Sequence, residues 1–361
     1  MNAREAMIAL NLTLEVGGAR LARLVTHFGS AEAAVGRSCR ELEQAGMPPG
    51  VARKVAGLSD TDAAREIAKA GERGISILTA ADSGYPLNLR NVFDPPPVLY
   101  CKGELKPEDA LAVAIVGSRR ASVYGLSLAK GFAQGLTQYR CAVVSGMARG
   151  IDTLAHRGAL AAGGRTIAVM GSGFNRIYPP ENRGLAEEIS RAGCVVSEFP
   201  MDAAPLKQNF PRRNRVISGL SLGVLVVEAC RNSGALITAD FALEQGREVF
   251  AVPGSVTNPG SEGTNALIRG GAKLVSRVED MIEEFPFIGA LAGEPAAAAG
   301  SKKPVGREEE LLYGILSGGE LSLDELVRES GMSVCRLSAL LLKMQLSRMI
   351  KRIPGNRFSR G

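Results

Sequence analysis

The chain has no tryptophan and only two histidines, His27 and His156, among its 361 residues. Its six cysteines are scattered and form no C-x-x-C pair. A zinc site needs clustered cysteine and histidine ligands, and a disulfide framework needs patterned cysteines, so we expect neither. No charged-then-apolar leader and no apolar run long enough to span a membrane is visible. We therefore expect a soluble cytoplasmic protein that holds no metal and contacts no membrane.

The sequence also lacks the usual nucleotide-binding signatures. The motif G-x-x-x-x-G-K-[ST] does not occur, which excludes hydrolysis by a P-loop enzyme. The segment Gly171-Ser-Gly-Phe-Asn-Arg176 begins like a dinucleotide-binding fingerprint, but the last glycine is missing. No Asp or Glu ends the following strand in the particular place that a ribose would need. We expect no dinucleotide and no other cofactor.

Length and charge set the next bounds. At 361 residues the chain is too long for one ordinary core, which predicts two or three domains. The net charge of +6 permits contact with nucleic acid without proving it. The distribution of charge favours such contact, because seven cations and no acid follow Glu329.

Apolar runs alternate with helical segments through the middle of the chain. Such runs, each ending in Gly, Ser, Glu or Pro, are typical of a parallel sheet with helices on both faces. We predict a Rossmann-like, doubly wound α/β domain at 81–286, with helices that include 124–139 and 151–162. Its predicted strands are 111–116, 141–144, 166–170, 194–196, 224–227 and 249–252.

A small helical domain is predicted before the sheet. Residues 1–80 contain two glycine hairpins, at 14–24 and 45–54, that resemble helix-hairpin-helix or SAM-like units. Such hairpins can point backbone N–H groups at a phosphate or simply pack helices together, and the sequence leaves both open. The proline-rich stretch 82–103 is predicted to be irregular.

The carboxyl-terminal part predicts a linker and then a winged helix. Residues 287–306 are rich in Ala, Gly and Pro without a hydrophobic period, which indicates a flexible linker. The last two helices of the final domain, 307–361, have helix-turn-helix spacing. The predicted elements of this domain are helices at 308–316, 323–329 and 334–344 and a hairpin at 350–358.

The most informative segment is Lys207-Gln-Asn-Phe-Pro-Arg-Arg-Asn-Arg215, which places four cations and one aromatic ring within nine residues. Arginine forks match phosphate oxygens in pairs, and the face of a phenylalanine offers a base a stacking surface. The pattern favours a site for single-stranded nucleic acid. A solvated basic turn is the plain alternative.

Five loops at the ends of the predicted strands share a second pattern. Small residues precede a helix start in each, so backbone amides line the loop and suit an anion. Ligands of open parallel sheets bind outside the carboxyl ends of the strands, and these loops therefore indicate one phosphate-binding edge. The loops are 117–120, 145–150, 171–173, 197–200 and the strand end at Glu228.

Ionisable residues near these ends are candidates for chemistry. Asp152 and His156 are four residues apart on one helix face, where they could bind a metal, transfer a proton or serve only the structure. Because the chain has two histidines in all, we adopt a structural or ligand-shaping role. Glu198 and Glu228 also end strands, but an unknown separation does not establish acid–base catalysis.

Taken together, these stretches resemble the DNA-processing protein A family, also called Smf or DprA. They keep the family's order and spacing over most of the predicted Rossmann-like domain, and the flanking domains match more weakly. The matching stretches are 115–119 with Tyr124 and Gly125, 145–152 with Ala155 and His156, 171–173 with Tyr178, Pro179 and Asn182, 210–215, 233–238 and 251–254.

The resemblance implies a homodimer that binds single-stranded DNA in natural transformation, protects incoming strands and helps to load the recombinase RecA, without catalysis. Family DNA contacts fall on the Gly-Ser-Arg loop and the Lys-x-x-Phe spacing, with Arg-Asn-Arg adjoining. The segment 344–348 lacks the glycine on which the family's wing usually turns, so contact of the wing with DNA is not implied. The expected DNA-binding residues are Gly117, Ser118, Arg119, Arg120, Lys207, Phe210, Arg212, Arg213, Asn214 and Arg215.

Two other classes of protein remain open. The sheet also resembles the lysine-decarboxylase-like group, whose nucleotide phosphoribohydrolases carry a P-G-G-x-G-T loop and a nearby catalytic Glu. The comparable loop, 233–238, has neither that glycine pattern nor that Glu. A transcriptional regulator would need base-reading side chains, and the helix at 334–344 offers few.

The sequence indicates the far edge of the sheet as the surface through which two copies of the chain would form a dimer. Leu267, Ile268, Met281 and Ile282 follow the last strands with few acids between them. An uncovered sheet edge invites a partner, so a second copy is expected to bind there. The alternative is that these residues cap their own core.

Overall fold

The computed structural model describes residues 1–285, 288, 306–347, 349–353 and 357–360. The predicted linker at 287–306 lies outside the described residues apart from positions 288 and 306. A helical unit, a large sheet covered by helices, and a second unit with a small sheet follow one another along the chain.

The amino-terminal helices pack around an apolar core of their own. Local capping sets where they begin: Asn2 and Glu5 exchange hydrogen bonds across the start of the first helix, and Ser38 and Glu41 do so at the fourth. Leu24 is among the fully buried residues of this core. The helices are α1 (Ala3–Asn11), α2 (Gly18–Phe28), α3 (Ala31–Ala34), α4 (Cys39–Gln44), α5 (Pro49–Ala56) and α6 (Asp60–Gly71).

The central sheet is built from short strands that are buried on both faces. Its strands are β1 (Ser76–Thr79), β2 (Val98–Gly103), β3 (Ala112–Val116), β4 (Ala142–Ser145), β5 (Thr166–Val169), β6 (Cys194–Ser197), β7 (Gly223–Val226), β8 (Glu248–Ala251) and β9 (Lys273–Leu274). Among the described residues these nine strands form one sheet in the order β1-β2-β6-β5-β4-β3-β7-β8-β9. β2 pairs antiparallel with β1 and β6, and the other neighbours pair in parallel.

The strand order reverses at β3. β4, β5 and β6 follow one another on one side of β3, whereas β7, β8 and β9 lie on the other side. In an open parallel sheet, the crevice outside the carboxyl ends at such a reversal is the usual ligand site. The chain after Val116 of β3 and after Val226 of β7 therefore borders the expected site.

Helices cover both faces of the sheet because alternate side chains of each strand enter different layers. Val113 and Ile115 of β3 pack in one cluster, and Ala112 and Ala114 pack in the other. The helices of this domain are α7 (Leu87–Arg90), α8 (Val123–Gln138), α9 (Ile151–Ala161), α10 (Arg183–Ala192), α11 (Asn209–Leu220), α12 (Gly234–Glu244), α13 (Glu262–Arg269) and α14 (Val278–Ile282).

The predicted Rossmann-like sheet is confirmed, and two local predictions were wrong. The stretch 82–103, predicted to be irregular, contains α7 and β2, and β1 lies at the end of the region predicted to be helical. Three consecutive prolines, Pro95 to Pro97, hid the start of β2 at Val98. Proline is tolerated there because the residues just before a strand need not donate to the ladder.

Two residues that the sequence assigns to a dimer surface are interior. Met281 and Ile282 of α14 belong to the apolar cluster of the chain's own sheet, so that part of the prediction was wrong. Leu267 and Ile268 of α13 are partly exposed. The far edge of the sheet ends at β9, which pairs through only two described residues with β8.

The carboxyl-terminal unit has the predicted winged-helix elements. Each helix begins and ends within two residues of its predicted position, and the hairpin pairs as expected. A third short strand joins the hairpin to complete its small sheet. The elements are α15 (Arg307–Ile315), β10 (Leu321–Ser322), α16 (Leu323–Ser330), α17 (Val334–Leu346), β11 (Ile350–Ile353) and β12 (Arg357–Arg360).

The winged helix packs beside the amino end of β3 through its last helix. Ala339 and Leu342 of α17 are buried in the same apolar cluster as the sheet. Arg336 and Lys343 of α17 form ion pairs with two glutamates of α15. Helix α17, which would have to enter a major groove in a DNA-reading winged helix, is therefore engaged in contacts within the protein. No helix in the described ranges is long and apolar enough to cross a membrane.

Candidate nucleic-acid interface

The loop after β3 is fixed at the reversal of strand order by backbone hydrogen bonds. The Ser118 amide donates to the Glu228 carbonyl at 2.7 Å, and the Ser118 carbonyl accepts from the Ile151 amide at 3.2 Å. Glycine is required at Gly117 because a Cβ there would meet both Ile151 and the Glu228 carbonyl. This pinned loop holds Arg119 at the carboxyl edge of the sheet with its side chain exposed.

A phenylalanine ring lies against this loop. Phe210 is in the first turn of α11, three residues after Lys207, and its ring rests on Gly171, where a Cβ would come within 2.8 Å of a ring carbon. The Arg119 guanidinium lies over the ring at 5.4 Å from its centroid. The Tyr178 ring is tilted by 54° against it, with 5.7 Å between the centroids. The loops after β3 and β5 and the start of α11 thus meet around one aromatic ring.

Three predicted contact cations are exposed at this edge, namely Arg119, Arg120 and Lys207. None of them forms an ion pair with another described residue. A cation without a carboxylate partner keeps its charge available to an anion. Together with the half-buried ring of Phe210, Arg119 and Lys207 form what we call the cradle.

Two further predicted contact residues, Arg212 and Arg215, are directed into the protein. Both guanidinium groups contact the Glu198 carboxylate, at 3.0 and 2.6 Å. Arg212 also donates to the Leu14 carbonyl, and Arg215 donates to the Asp94 carbonyl. The side chain of Glu198 is only 1% exposed, and a second carboxylate, that of Asp94, lies 3.8 Å from Arg215, so two acids balance the two arginines. These arginines fasten the amino-terminal helices to the sheet.

The first glycine hairpin of the amino-terminal unit binds a carboxylate of the same chain, that of Asp94. Asp94 accepts a hydrogen bond from the Ala19 amide at the start of α2, at 3.1 Å. A Cβ on Gly18 would collide with the same carboxylate. A helix start favours a negative charge because its amides are unpaired and its dipole end is positive. The hairpin therefore serves as a packing contact.

Arg213 and Asn214 are buried beneath the cradle. Arg213 donates to the carbonyls of Gly146 and Val169, which end β4 and β5. The Asn214 side chain accepts from Arg213 at 3.1 Å and donates to the Gly234 carbonyl at 3.2 Å. Burial lowers the pKa of Arg213 to about 10, which leaves the group charged at neutral pH. The pair ties three loops of the carboxyl edge together.

Asp152 and His156 of α9 lie under the same loops. Burial raises the pKa of Asp152 in spite of nearby arginines, and its carboxylate accepts from the Ala148 amide at 3.3 Å. His156 is fully buried, with Nδ1 2.7 Å from Thr166 Oγ1. Burial and the neighbouring Arg213 lower the pKa of His156 to about 3. Both residues support the loops from below, which fits the structural role inferred from the sequence.

Glu228, at the end of β7, is engaged in holding the start of α8. Its carboxylate accepts from the Ser122 amide at 3.1 Å and from the Ser122 hydroxyl at 2.6 Å. The hydroxyl accepts in turn from the Gly125 amide at 3.1 Å. This carboxylate completes a helix cap next to the loop after β3.

Two side chains at this edge, Tyr178 and Arg149, lie in stretches that the sequence singled out but were not among the expected contact residues. The guanidinium of Arg149 lies 5.9 Å from the centroid of the Tyr178 ring, which is 36% exposed. The two residues come from the loops after β4 and β5, which meet only in the folded sheet. An aromatic residue before Pro179, in a loop already marked by its glycines, was the available signal for Tyr178.

The sheet, the cradle and the winged helix define a doubly wound α/β protein with exposed cations at the carboxyl edge of its sheet. Residues 76–286 match the family model of DNA recombination-mediator protein A, and residues 295–356 match the DprA winged helix domain. The chain belongs to the DNA recombination-mediator protein A family. The family resemblance seen in the sequence is thereby confirmed.

Relatives and solved structures agree with this assignment. The chain is 43% identical over 287 residues to Protein Smf of Escherichia coli, covering 77% of this chain and 76% of that protein. The X-ray structure of DNA processing protein A from Streptococcus pneumoniae matches with a TM-score of 0.67 and 34% identity, over 79% of this chain and 98% of that chain. The structure of the Helicobacter pylori protein, described for its single-stranded DNA binding mode, matches with a TM-score of 0.53 and 32% identity, over 58% and 94%.

The first prediction concerns the buried ion cluster. Glu198→Ala removes the buried carboxylate that Arg212 and Arg215 share and leaves the buried Arg215 only the more distant Asp94 carboxylate, so the free energy of unfolding should fall by about 3–5 kcal/mol. Urea unfolding followed by circular dichroism measures this loss. The matched control is Glu187→Ala, which removes the partly exposed partner of Lys102 and should cost about 1 kcal/mol or less. Equal losses in the two variants would contradict an interior role for the cluster.

The second prediction concerns the pH dependence of stability. The folded-state pKa of His156 is about 3 and its ordinary value is 6.5, so between these values the unfolded chain binds a proton that the folded chain does not. Stability contributed by the neutral ring is present above pH 6.5 and is lost as the pH falls. Between pH 7 and pH 5 this loss amounts to about 2 kcal/mol.

His156→Gln should remove this pH dependence, and His27→Gln should leave it intact because His27 is exposed. Denaturant unfolding at several pH values compares the three proteins. The raised pKa of Asp152 makes stability change with pH in the opposite direction, but Asp152 is present in all three proteins, so its effect cancels in the comparison. Parallel curves for the parent and His156→Gln would show that the histidine takes up its proton in the folded state.

Proposed function

We propose that this protein binds single-stranded DNA at the carboxyl edge of its sheet, as a homodimer and without catalytic turnover. The observation that carries the proposal is the cradle, in which exposed Arg119 and Lys207 accompany the half-buried ring of Phe210. Cations that meet phosphates and a ring that meets a base face are the two parts of a sequence-independent single-strand site. The described binding mode of the Helicobacter pylori relative supports the same ligand.

The proposed role is to protect incoming single strands during natural transformation and to help load the recombinase RecA onto them in the cytoplasm. Incoming DNA has no fixed sequence, so its carrier must hold it without reading base edges. Phosphate contacts and stacking do this, because every nucleotide has a phosphate and every base has a π-face. Family membership supports the role, since the family is that of a recombination mediator.

The ten residues expected from the sequence divide into two groups. On this proposal the exposed or half-buried Arg119, Arg120, Lys207 and Phe210 touch DNA directly, and Gly117 and Ser118 shape the loop that carries the first two. The second group supports the cradle from inside the protein. Its members are Arg212, Arg213, Asn214 and Arg215.

Hydrolysis of nucleotides is the weaker proposal. A phosphoribohydrolase needs a carboxylate that is free to act on its substrate, whereas Glu228 is bonded to Ser122 at the cap of α8. The segment 233–238 is not a loop in this protein, because Ser233 caps α12 and the other five residues begin that helix, and Thr238 is buried. Transcriptional control is disfavoured as well, because α17 packs against the sheet.

The third prediction tests the phosphate contacts. Arg119→Ala or Lys207→Ala should weaken binding of single-stranded oligonucleotides of any sequence. Each loss should also flatten the slope of log affinity against log salt by about 0.7. Fluorescence anisotropy at several salt concentrations gives both quantities. Lys130→Ala, which removes an exposed cation from the middle of α8, is the matched control and should change neither.

The same titration separates charge from stacking. Phe210→Ala should cost about 1–3 kcal/mol of binding free energy with little change in the salt slope, because a ring releases no counterions. Parent-like binding by all three cradle variants would place the DNA site elsewhere on the protein.

The proposed dimer uses the far edge of the sheet. A groove of about 670 Å³ runs there between α12 and α13, and Ile237, Leu243 and Leu267 are among the apolar residues that line it. An isologous contact would place this patch against its own copy. Two cradles on one rigid dimer would raise the effective concentration of the second contact to about millimolar, which increases avidity about 10²-fold or more.

The fourth prediction tests this assembly. Ile268→Glu places a charge on the partly exposed face of α13 and should give folded monomers that bind single strands more weakly. Light scattering with circular dichroism reports mass and folding together. Glu262→Gln, on the first turn of the same helix, is the control and should remain dimeric. A monomeric parent protein at micromolar concentration would rule out the dimer.

A further inference from the structure

We infer that Tyr178 is a second stacking surface beside Phe210, so that two neighbouring unpaired bases bind at this edge of the sheet. The inference rests on the proposed binding of single-stranded DNA and deepens it, because it specifies how the bases are held. It assigns a ligand contact to Tyr178, and it assigns a phosphate contact to Arg149, which lies over the same ring.

The geometry of the two rings carries the inference. Their centroids are 5.7 Å apart, and their planes are inclined by 54°. The Phe210 ring is half-buried on Gly171, whereas Tyr178 remains 36% exposed on the outer side of the pair. Large aromatic rings gain most from burial, so an exposed ring held at an anion-binding edge is available to a ligand with a flat apolar face.

The spacing of the rings also selects the kind of nucleic acid. Stacked bases in a duplex follow one another at about 3.4 Å and are nearly parallel. Bases that lie on Phe210 and Tyr178 must be farther apart and inclined to each other. A strand reaches this arrangement only when its bases are unpaired and splayed, which single strands permit and a duplex does not.

A guanidinium accompanies each ring. Arg119 lies over Phe210 at 5.4 Å, and Arg149 lies over Tyr178 at 5.9 Å. Each ring with its arginine is therefore a unit that offers one base face and one phosphate contact, and the unit occurs twice in adjacent loops. Arg149 also pairs with the Glu181 carboxylate, which has the charge of the phosphate that would replace it.

When a strand binds, a base then replaces the guanidinium beside each of the two rings. In the free protein each guanidinium lies close to its ring, at 5.4 and 5.9 Å from the ring centroid, and the outer ring, Tyr178, stays partly exposed. A bound strand draws each guanidinium to a phosphate and places a base on the ring that it leaves. The exchange needs a phosphate and an unpaired base together, so neither free phosphate nor a free base reproduces it.

The absence of tryptophan from the chain provides a direct test. Three variants each carry one indole as the sole reporter: Tyr178→Trp, Phe210→Trp and Tyr139→Trp. Tyr139 ends α8 just before β4, at the opposite edge of the sheet, and serves as the control. Titration with an oligothymidylate of about 20 nucleotides should quench the indole in the first two variants, because stacking on a base quenches it, and should leave the control unchanged. Duplex DNA of the same length should not quench Tyr178→Trp.

The outcomes separate this inference from the proposed function. Quenching of Phe210→Trp without quenching of Tyr178→Trp would overturn the inference and leave single-strand binding in place. If no variant is quenched and no variant binds the oligothymidylate, the proposed function fails together with the inference.

Affinity gives a second and independent measurement. Tyr178→Leu keeps an apolar side chain without a π-face and should bind the oligothymidylate about 5-fold to 150-fold more weakly, the range for the stacking of one base. Its salt slope should match that of the parent, since no phosphate contact is removed. Tyr178→Phe should restore parent affinity. Equal affinity of Tyr178→Leu and the parent protein would overturn the inference.

Discussion

A single buried guanidinium, that of Arg213, holds the carboxyl edge of the sheet together. Carbonyl groups at the ends of parallel strands have no ladder partner, and Arg213 bonds those of Gly146 and Val169. Phe210 is three residues earlier on the same helix, hence on the same face, so the interaction that anchors α11 also sets the ring against the loops. The proposed DNA-binding surface depends on this inner contact.

Carboxylates of the chain also join the amino-terminal helical unit to the sheet. Glu198 receives Arg212 and Arg215 beneath the start of α11, and Asp94 occupies the start of α2. A helix start and a cluster of arginines are features by which proteins bind phosphate. In this protein, carboxylates of the chain itself bind both the helix start and the arginines. These two features therefore fix the helical unit to the sheet. The exposed cations of the cradle remain available to an external anion.

Much of the fold could be predicted from the sequence, because buried parallel strands are continuous apolar runs and their loops are rich in glycine. The order of the strands in the sheet could not be predicted, because pairing between distant segments leaves no local signal in the sequence. The antiparallel strand β2 was hidden by the prolines before it. Within 207–215 the residue types indicated an anion site, but the sequence did not show that Lys207, just before α11, is exposed and that Arg213, within α11, is buried. Tyr178 is part of a matching stretch in the sequence, but its place in the site could not be predicted because its partners lie elsewhere in the chain.

The docked winged helix gives the sheet one closed end and one open end. α17 packs beside the amino end of β3, whereas the cradle lies where the strands finish. On the proposed function, a strand held at the open end and the protein that receives it must approach from the same side. The docked winged helix would then stay clear of the bound strand, because it lies at the other end of the strands of the sheet.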